Sequence, residues 1–327
     1  MHTMAAVRKP KSTSSVQFLP VNLFGSVMGI SGLSLAWRQA STLFGTAPII
    51  AEVIGIAAIL VFIVLSIGYI LKWILYPRKV MNEFTHPVSG NFFGTITISI
   101  LLLSSVLGSY SQALGQIIWI IGMASTLTLS YIIVSRIING NLELSSAVPA
   151  WLIPGVATID IVVAGGTMPF PWVREINLLS LAIGGVFAIV FFTMLMSRLI
   201  HHAPLPAGLK PSMIIMIAPF EVGFLGYTNF VQRIDPFASI LFYFGLFLFV
   251  VLFFKVFKKS IPFGASWWAV SFPMAALGNA ALKYAIFEPS WVLIALSAII
   301  LAVLSIVLAV LFIRSIYMLV HGELLNG

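Results

Sequence analysis

The chain contains no cysteine, which excludes disulfides, thiolate metal centres and thiol redox chemistry. Charge is almost as scarce. Asp, Glu, Lys and Arg together make up 8% of the 327 residues, against about 25% in an average soluble domain. Hydrophobic residues reach 60% and the mean hydropathy is +1.11, so a soluble globular protein is excluded and a polytopic membrane protein remains. No nucleotide-binding glycine loop, metal-ligating cluster or nucleophile–base pair is visible, which leaves ATP-driven pumping and intramembrane catalysis without machinery. The adjacent His201 and His202 have no Asp, Glu or Cys beside them and read as solvated loop residues, not as a metal site. The net charge of +8 does not mark a nucleic-acid surface, because the basic residues are spread through short loops.

What the chain has in abundance is apolar segments of spanning length, for which roughly 20 residues suffice. Ten are expected, over 18–38, 48–76, 87–108, 112–138, 147–166, 175–200, 211–232, 236–258, 261–286 and 290–320. Residues 1–17 carry Arg8, Lys9 and Lys11 without a separate hydrophobic signal core. They are expected to form a cytoplasmic N-terminal tail, with 18–320 as the transmembrane domain and 321–327 as a cytoplasmic C-terminal tail. With the N-terminus inside, 13 of the 17 Lys and Arg fall on the cytoplasmic side. Only Arg38, Arg174, Arg233 and Lys283 fall outside, the bias that the positive-inside rule requires. Trp37, Trp73, Trp151, Trp172 and Trp291 lie near span ends and suit interfacial belts, whereas Trp267 and Trp268 lie deeper.

The ten segments alternate in kind. The odd ones are punctuated by proline, glycine and small polar residues; the even ones are plain aliphatic or aromatic. A helix facing lipid gains nothing from a broken backbone, but a helix around a protein-enclosed cavity tolerates one. The odd spans are therefore expected to line a path and the even spans to form an outer wall, as five helical hairpins with short outer turns such as Ser109-Tyr110-Ser111. Pro154, Pro219 and Pro273 read as interior kinks, and Pro20, Pro87 and Pro262 as opening-turn prolines. Beside them Asn22, Phe24, Gly25, Asn91, Phe93, Gly94, Gly155 and Gly264 are candidate lining residues.

Three openings carry a more specific signal: Pro20-Val21-Asn22-Leu23-Phe24-Gly25, His86-Pro87 followed by Asn91-Phe92-Phe93-Gly94, and Pro262-Phe263-Gly264-Ala265-Ser266-Trp267-Trp268. With the ten-span layout they make the whole chain resemble the tellurite-resistance/dicarboxylate transporter family. That family includes bacterial tellurite-resistance proteins, plant guard-cell slow anion channels and yeast dicarboxylate transporters. The resemblance implies five hairpins around a central pore, a homotrimer with one pore per subunit, and no cofactor or metal. It also implies a ninth-helix phenylalanine that plugs the pore, here matched to Phe263. The expected function is passive conduction of small monovalent inorganic anions across a bacterial inner membrane, with a role in tellurite resistance. The alternative is a proton-coupled secondary transporter of dicarboxylates or oxyanions such as tellurite.

Asp160, Glu221 and Lys283 are expected within the membrane, where ionisable residues are functional hypotheses. Asp160 and Glu221 could form a proton relay, or could bond freed backbone or pair with a base. A fixed carboxylate has the wrong sign for an anion pore, so a channel expects both off the axis, paired or protonated. No ring of Arg or Lys is apparent, and selectivity is expected from hydroxyls, from Asn22 and Asn91, and from backbone groups.

Overall fold

A computed structural model describes residues 16–140 and 147–325. The expected N-terminal tail lies outside the described residues except for its last two, and so do Arg8, Lys9 and Lys11. Among the described residues all regular structure is helical. The α-helices are α1 (Phe24–Phe44), α2 (Ile49–Leu75), α3 (Pro77–Thr85), α4 (Gly94–Gly108), α5 (Gln112–Ile138) and α6 (Leu152–Gly165). They continue with α7 (Val173–His201), α8 (Ala218–Val231), α9 (Pro236–Val256), α10 (Ser271–Phe287) and α11 (Trp291–Val320).

Helices α1, α4, α6, α8 and α10 form a closed ring. Each touches the next, and α10 returns to α1. Each ring helix also packs against the helix that follows it in the chain's set of long helices: α2, α5, α7, α9 and α11 respectively. Seven helical stretches among the described residues are long and apolar enough to cross a bilayer. They comprise these five outer helices and two ring stretches, Ser89–Gly108 and Ala207–Val231. The other ring helices, α1, α6 and α10, face protein on most sides, so their serines, glycines and asparagines need no lipid-compatible surface.

A second regularity separates the two sets. Every ring helix is preceded by a 3-10 segment: Val21–Leu23, Ser89–Phe93, Pro149–Trp151, Ala207–Ile217 and Ala265–Val270. This changes the reading of the prolines. Pro154, Pro219 and Pro273 are the third, second and third residues of α6, α8 and α10, so they sit in opening turns and kink no α-helix interior. A proline there sacrifices a donor that has no intrahelical partner, and its fixed φ favours the start of a helix.

Small residues let the ring close tightly. Along α1, Gly25 faces Trp268 of the Ala265–Val270 turn and Gly29 and Gly32 face α10: a Cβ on Gly29 would lie 2.6 Å from Ser271 Oγ, and one on Gly32 2.6 Å from Ala275 Cβ. The same seam is hydrogen-bonded, with Ser271 Oγ donating to the Gly25 carbonyl at 2.8 Å and Asn279 Nδ2 to the Gly32 carbonyl at 2.8 Å. On the outside, Ser111, Asp235 and Ser290 cap the first turns of α5, α9 and α11. The Asp235 carboxyl accepts the Ala238 N–H at 3.0 Å, which holds it below the usual carboxylate range.

Helix α3 is an addition to the expected architecture, in a stretch that read as a connection. It starts at Pro77 and is pinned through Glu83. Glu83 accepts from Lys72 Nζ at 2.5 Å, the Tyr69 hydroxyl at 2.9 Å and the Val21 backbone N–H at 2.8 Å. Lys72 also donates to the Leu19 carbonyl at 2.8 Å. This buried clasp fixes the 3-10 turn that opens α1 against the end of α2.

Candidate functional site

Two cavities lie in series within the ring. The first is narrow, about 40 Å³, room for about three waters. It is lined by the opening turns of all five ring helices, through Asn22, Gly25, Thr95, Ile153, Ala218 and Phe272 among others. Its wall is apolar apart from Asn22, Thr95 and Asp160, and the Thr95 hydroxyl already donates to the Phe92 carbonyl at 2.6 Å. The second cavity is a wider chamber of about 410 Å³ at the C-terminal half of the ring helices. Its wall includes Arg38, Gln39, Ser105, Asn229, Asn279 and Lys283.

Two residues line both cavities: Phe272 and Asp160. Phe272 is the second residue of α10, and its partly buried ring lies where the narrow space meets the wide one. The residues immediately before the three ring prolines, Ile153, Ala218 and Phe272, all face the narrow cavity, and Phe272 is the only aromatic among them. Asp160 is 2% exposed, and its Oδ2 has no hydrogen-bond partner.

Phe263 stands elsewhere. It lies in the segment before Ala265–Val270, lines neither of the two cavities, stacks on Trp267 at 6.2 Å and carries the Arg314 guanidinium 4.5 Å above its ring. The ring expected to act as a plug thus lines neither cavity, and the aromatic that lines both is Phe272, nine residues further along.

The other candidates divide. Asn22, Gly25 and Pro273 line the narrow cavity. Phe24 packs edge-on against Phe62 and Tyr69, and Phe93 against Tyr69 and Phe84, in the protein wall. Asn91 turns back on its own segment, donating to the Pro87 carbonyl at 2.7 Å. Gly94 gives room to Ile153 and Gly155 to Phe191, so both serve helix packing. The Pro154 carbonyl accepts from Ser130 of α5 at 2.7 Å. Pro20 precedes the Val21–Leu23 turn, Pro262 accepts the Trp267 indole N–H at 2.9 Å, and Gly264 is extended. Glu221 is fully buried with neither oxygen partnered; it lies against Gly245 of α9 and lines neither cavity.

The basic residues were the larger surprise. Arg38 of α1 and Lys283 of α10 are 245 positions apart yet share the wide chamber, because ring closure joins those two helices. Lys283 donates to Asn229 Oδ1, and Asn229 Nδ2 in turn donates to the Val163 carbonyl at 2.8 Å. That arrangement fixes the ammonium while leaving donors free for the chamber. Arg38 forms no ion pair among the described residues. No group of three or more His, Cys, Asp and Glu that could hold a metal occurs among them either.

The model of the family described as the voltage-dependent anion channel SLAC1 matches residues 19–316. The chain belongs to the SLAC1 family. Among its relatives, the tellurite resistance protein TehA homolog of Haemophilus influenzae is 28% identical over 81% of each chain. The S-type anion channel SLAH2 of Arabidopsis thaliana is 27% identical over 81% of this chain and 52% of its own length, so the chain spans about half of that plant relative. An uncharacterized transporter of Methanocaldococcus jannaschii is 28% identical over 81% of this chain and 84% of its own. Members of the SLAC1 family are named as anion channels or transporters, not as enzymes.

Proposed function

We propose that this protein conducts small monovalent anions passively along the axis of its five-helix ring, and that Phe272 is the occluding ring. The observation that carries the reading is the two-cavity axis, with one aromatic side chain at the junction and two cations in the wider chamber. Arg38 and Lys283 concentrate anions in the chamber, an effect that focusing between low-dielectric walls strengthens. Beyond it, the anion enters a space with room for about three waters, so it sheds most of its hydration. The negative face of the Phe272 ring adds a repulsive term when it meets the ion. Discrimination among halide-like anions then follows ease of dehydration.

The ring and its outer partners are best read as ten spans in five hairpins, forming one transmembrane domain over 18–320 with both ends of the chain cytoplasmic. The charge bias supports this orientation, in which the Arg38–Lys283 chamber opens toward the outer side. We assign the protein to a bacterial inner membrane as a homotrimer with one path per subunit, and a role in tellurite resistance follows from the TehA-type relative. A second reading, proton-coupled carriage of dicarboxylates or oxyanions, is favoured by one observation: Asp160 lies on the axis with a free oxygen.

Voltage-clamp recording of the wild type and Phe272→Ala separates the two. A channel gives currents that follow the anion gradient without a pH gradient and that rise sharply in Phe272→Ala. A carrier gives saturating flux that needs the pH gradient, and unchanged currents in Phe272→Ala would remove the plug from the account.

A further inference from the structure

Asp160 is the one feature of the axis that simple anion conduction does not use. Among the described residues it is the only acidic side chain facing either cavity, it is almost wholly buried, and its Oδ2 is unpartnered. Leaving such a group without a partner is costly in a buried site. The charged groups around it are unequal in place. Arg38 from α1 and Lys283 from α10 share the wide chamber with it, but neither forms an ion pair with it. Helix α4 contributes Ser105 to that chamber and no charge. Helix α8 contributes Asn229, while its Glu221 faces Gly245 of α9, away from both cavities.

A carboxyl group keeps at least one acceptor oxygen whatever its protonation state. A passing ion that brings only acceptors, such as a halide or nitrate, cannot satisfy that oxygen. An oxyanion that carries its own hydroxyl can, by donating the O–H to Asp160 while its charged oxygens face the Lys283 ammonium and the Arg38 guanidinium. The chamber thus presents one carboxyl acceptor and two cationic donors within the same wall, beside neutral amides and hydroxyls, complementary to a small ion with one donor and several acceptors.

We propose that the wide chamber selects hydroxyl-bearing oxyanions, with Asp160 as the acceptor that recognises their O–H group and Arg38 and Lys283 as the partners of their charge. This rests on the reading of the ring axis as an anion path and narrows its substrate class. No bond forms or breaks in the selection; the ion exchanges a hydrogen bond to water for one to Asp160.

Bicarbonate and nitrate test it cleanly, since both are planar, triatomic around the centre and monovalent, and they differ by the hydroxyl. A purely electrostatic effect of Asp160 acts on both alike and cancels in their ratio. Reversal potentials would be measured with bicarbonate on one side and nitrate on the other, at mildly alkaline pH where bicarbonate dominates. The measurement would use the wild type and the Phe272→Ala background, which supplies current if the resting path is closed. Bicarbonate is expected to be the more permeant ion. Asp160→Leu, which removes the acceptor, should shift the ratio toward nitrate by about tenfold, the scale of one charge-assisted hydrogen bond. Asp160→Glu, which keeps an acceptor, should retain the bicarbonate preference. Should Asp160→Leu fail to fold, the ratio in the unaltered Asp160 protein still decides. Nitrate favoured over bicarbonate there, or a ratio unmoved by Asp160→Leu, overturns the proposal. Absence of current from either anion in Phe272→Ala would instead overturn the anion-path reading on which it rests.

Discussion

The ring helices and the outer helices are built from the same apolar alphabet but meet different surroundings. Two ring stretches, Ser89–Gly108 and Ala207–Val231, are 72% buried along their most apolar windows, whereas the five outer helices are 17–33% buried. The outer set presents long aliphatic and aromatic surfaces: Ile63, Val64, Ile67, Ile74 and Trp73 on α2 are all exposed. Both sets carry glycines at close helix contacts, but every polar group that faces the two cavities belongs to the ring helices and their opening turns. Punctuation is thus not a defect in a membrane helix; it marks the helices whose neighbours are protein on nearly every side.

The comparison breaks most visibly at glycine. Gly29→Leu would drive a side chain into Ser271 across the α1–α10 seam, and no ring of this shape can accommodate it. Loss of monodisperse protein on size-exclusion chromatography is expected. Gly185→Leu on α7, where a Cβ meets nothing within 4 Å, should leave the elution profile and melting temperature unchanged. Equal behaviour of the two would undo the distinction between the ring seam and the outward face of the wall.

Next in size is the clasp at the start of α1. Glu83→Ala would strand Lys72, whose side chain is 4% exposed, and would remove the acceptor of the Val21 N–H. Breaking a buried ion pair on one side costs about 3 kcal/mol, seen as a lower melting temperature in detergent. Lys283→Met should reduce anion current about tenfold at low ionic strength, and the deficit should shrink as salt screens the chamber. A deficit that is independent of salt would point to a packing role for Lys283. The smallest effect is expected for Phe263→Ala, since that ring stacks on Trp267 outside both cavities; its current should stay within about twofold of wild type, the change expected when a contact outside the path is lost.

These differences explain what could be read in advance. The ring and the wall were legible because lipid and protein impose different compositions on whole helices. Depth along a helix was not, because it depends on where the 3-10 turn yields to α-helix, and the motif around Phe263 is silent on that. The signal lay in the prolines. Each of Pro154, Pro219 and Pro273 sits in the first turn of its α-helix, and the residue before it faces the narrow cavity, which singles out Phe272. The shared placement of Arg38 and Lys283 was illegible for another reason: the two residues line one chamber only through closure of the ring, at a separation no local pattern encodes. Asp160 was legible as an unusual residue, but its position facing both cavities was not.

The central claim is that one aromatic ring at the junction of the two cavities holds the path closed. Macroscopic anion currents from Phe272→Ala and Phe263→Ala, recorded side by side at matched surface expression, test it most directly. The account predicts a large rise in Phe272→Ala and near wild-type current in Phe263→Ala. A rise confined to Phe263→Ala, or none in Phe272→Ala, would contradict it.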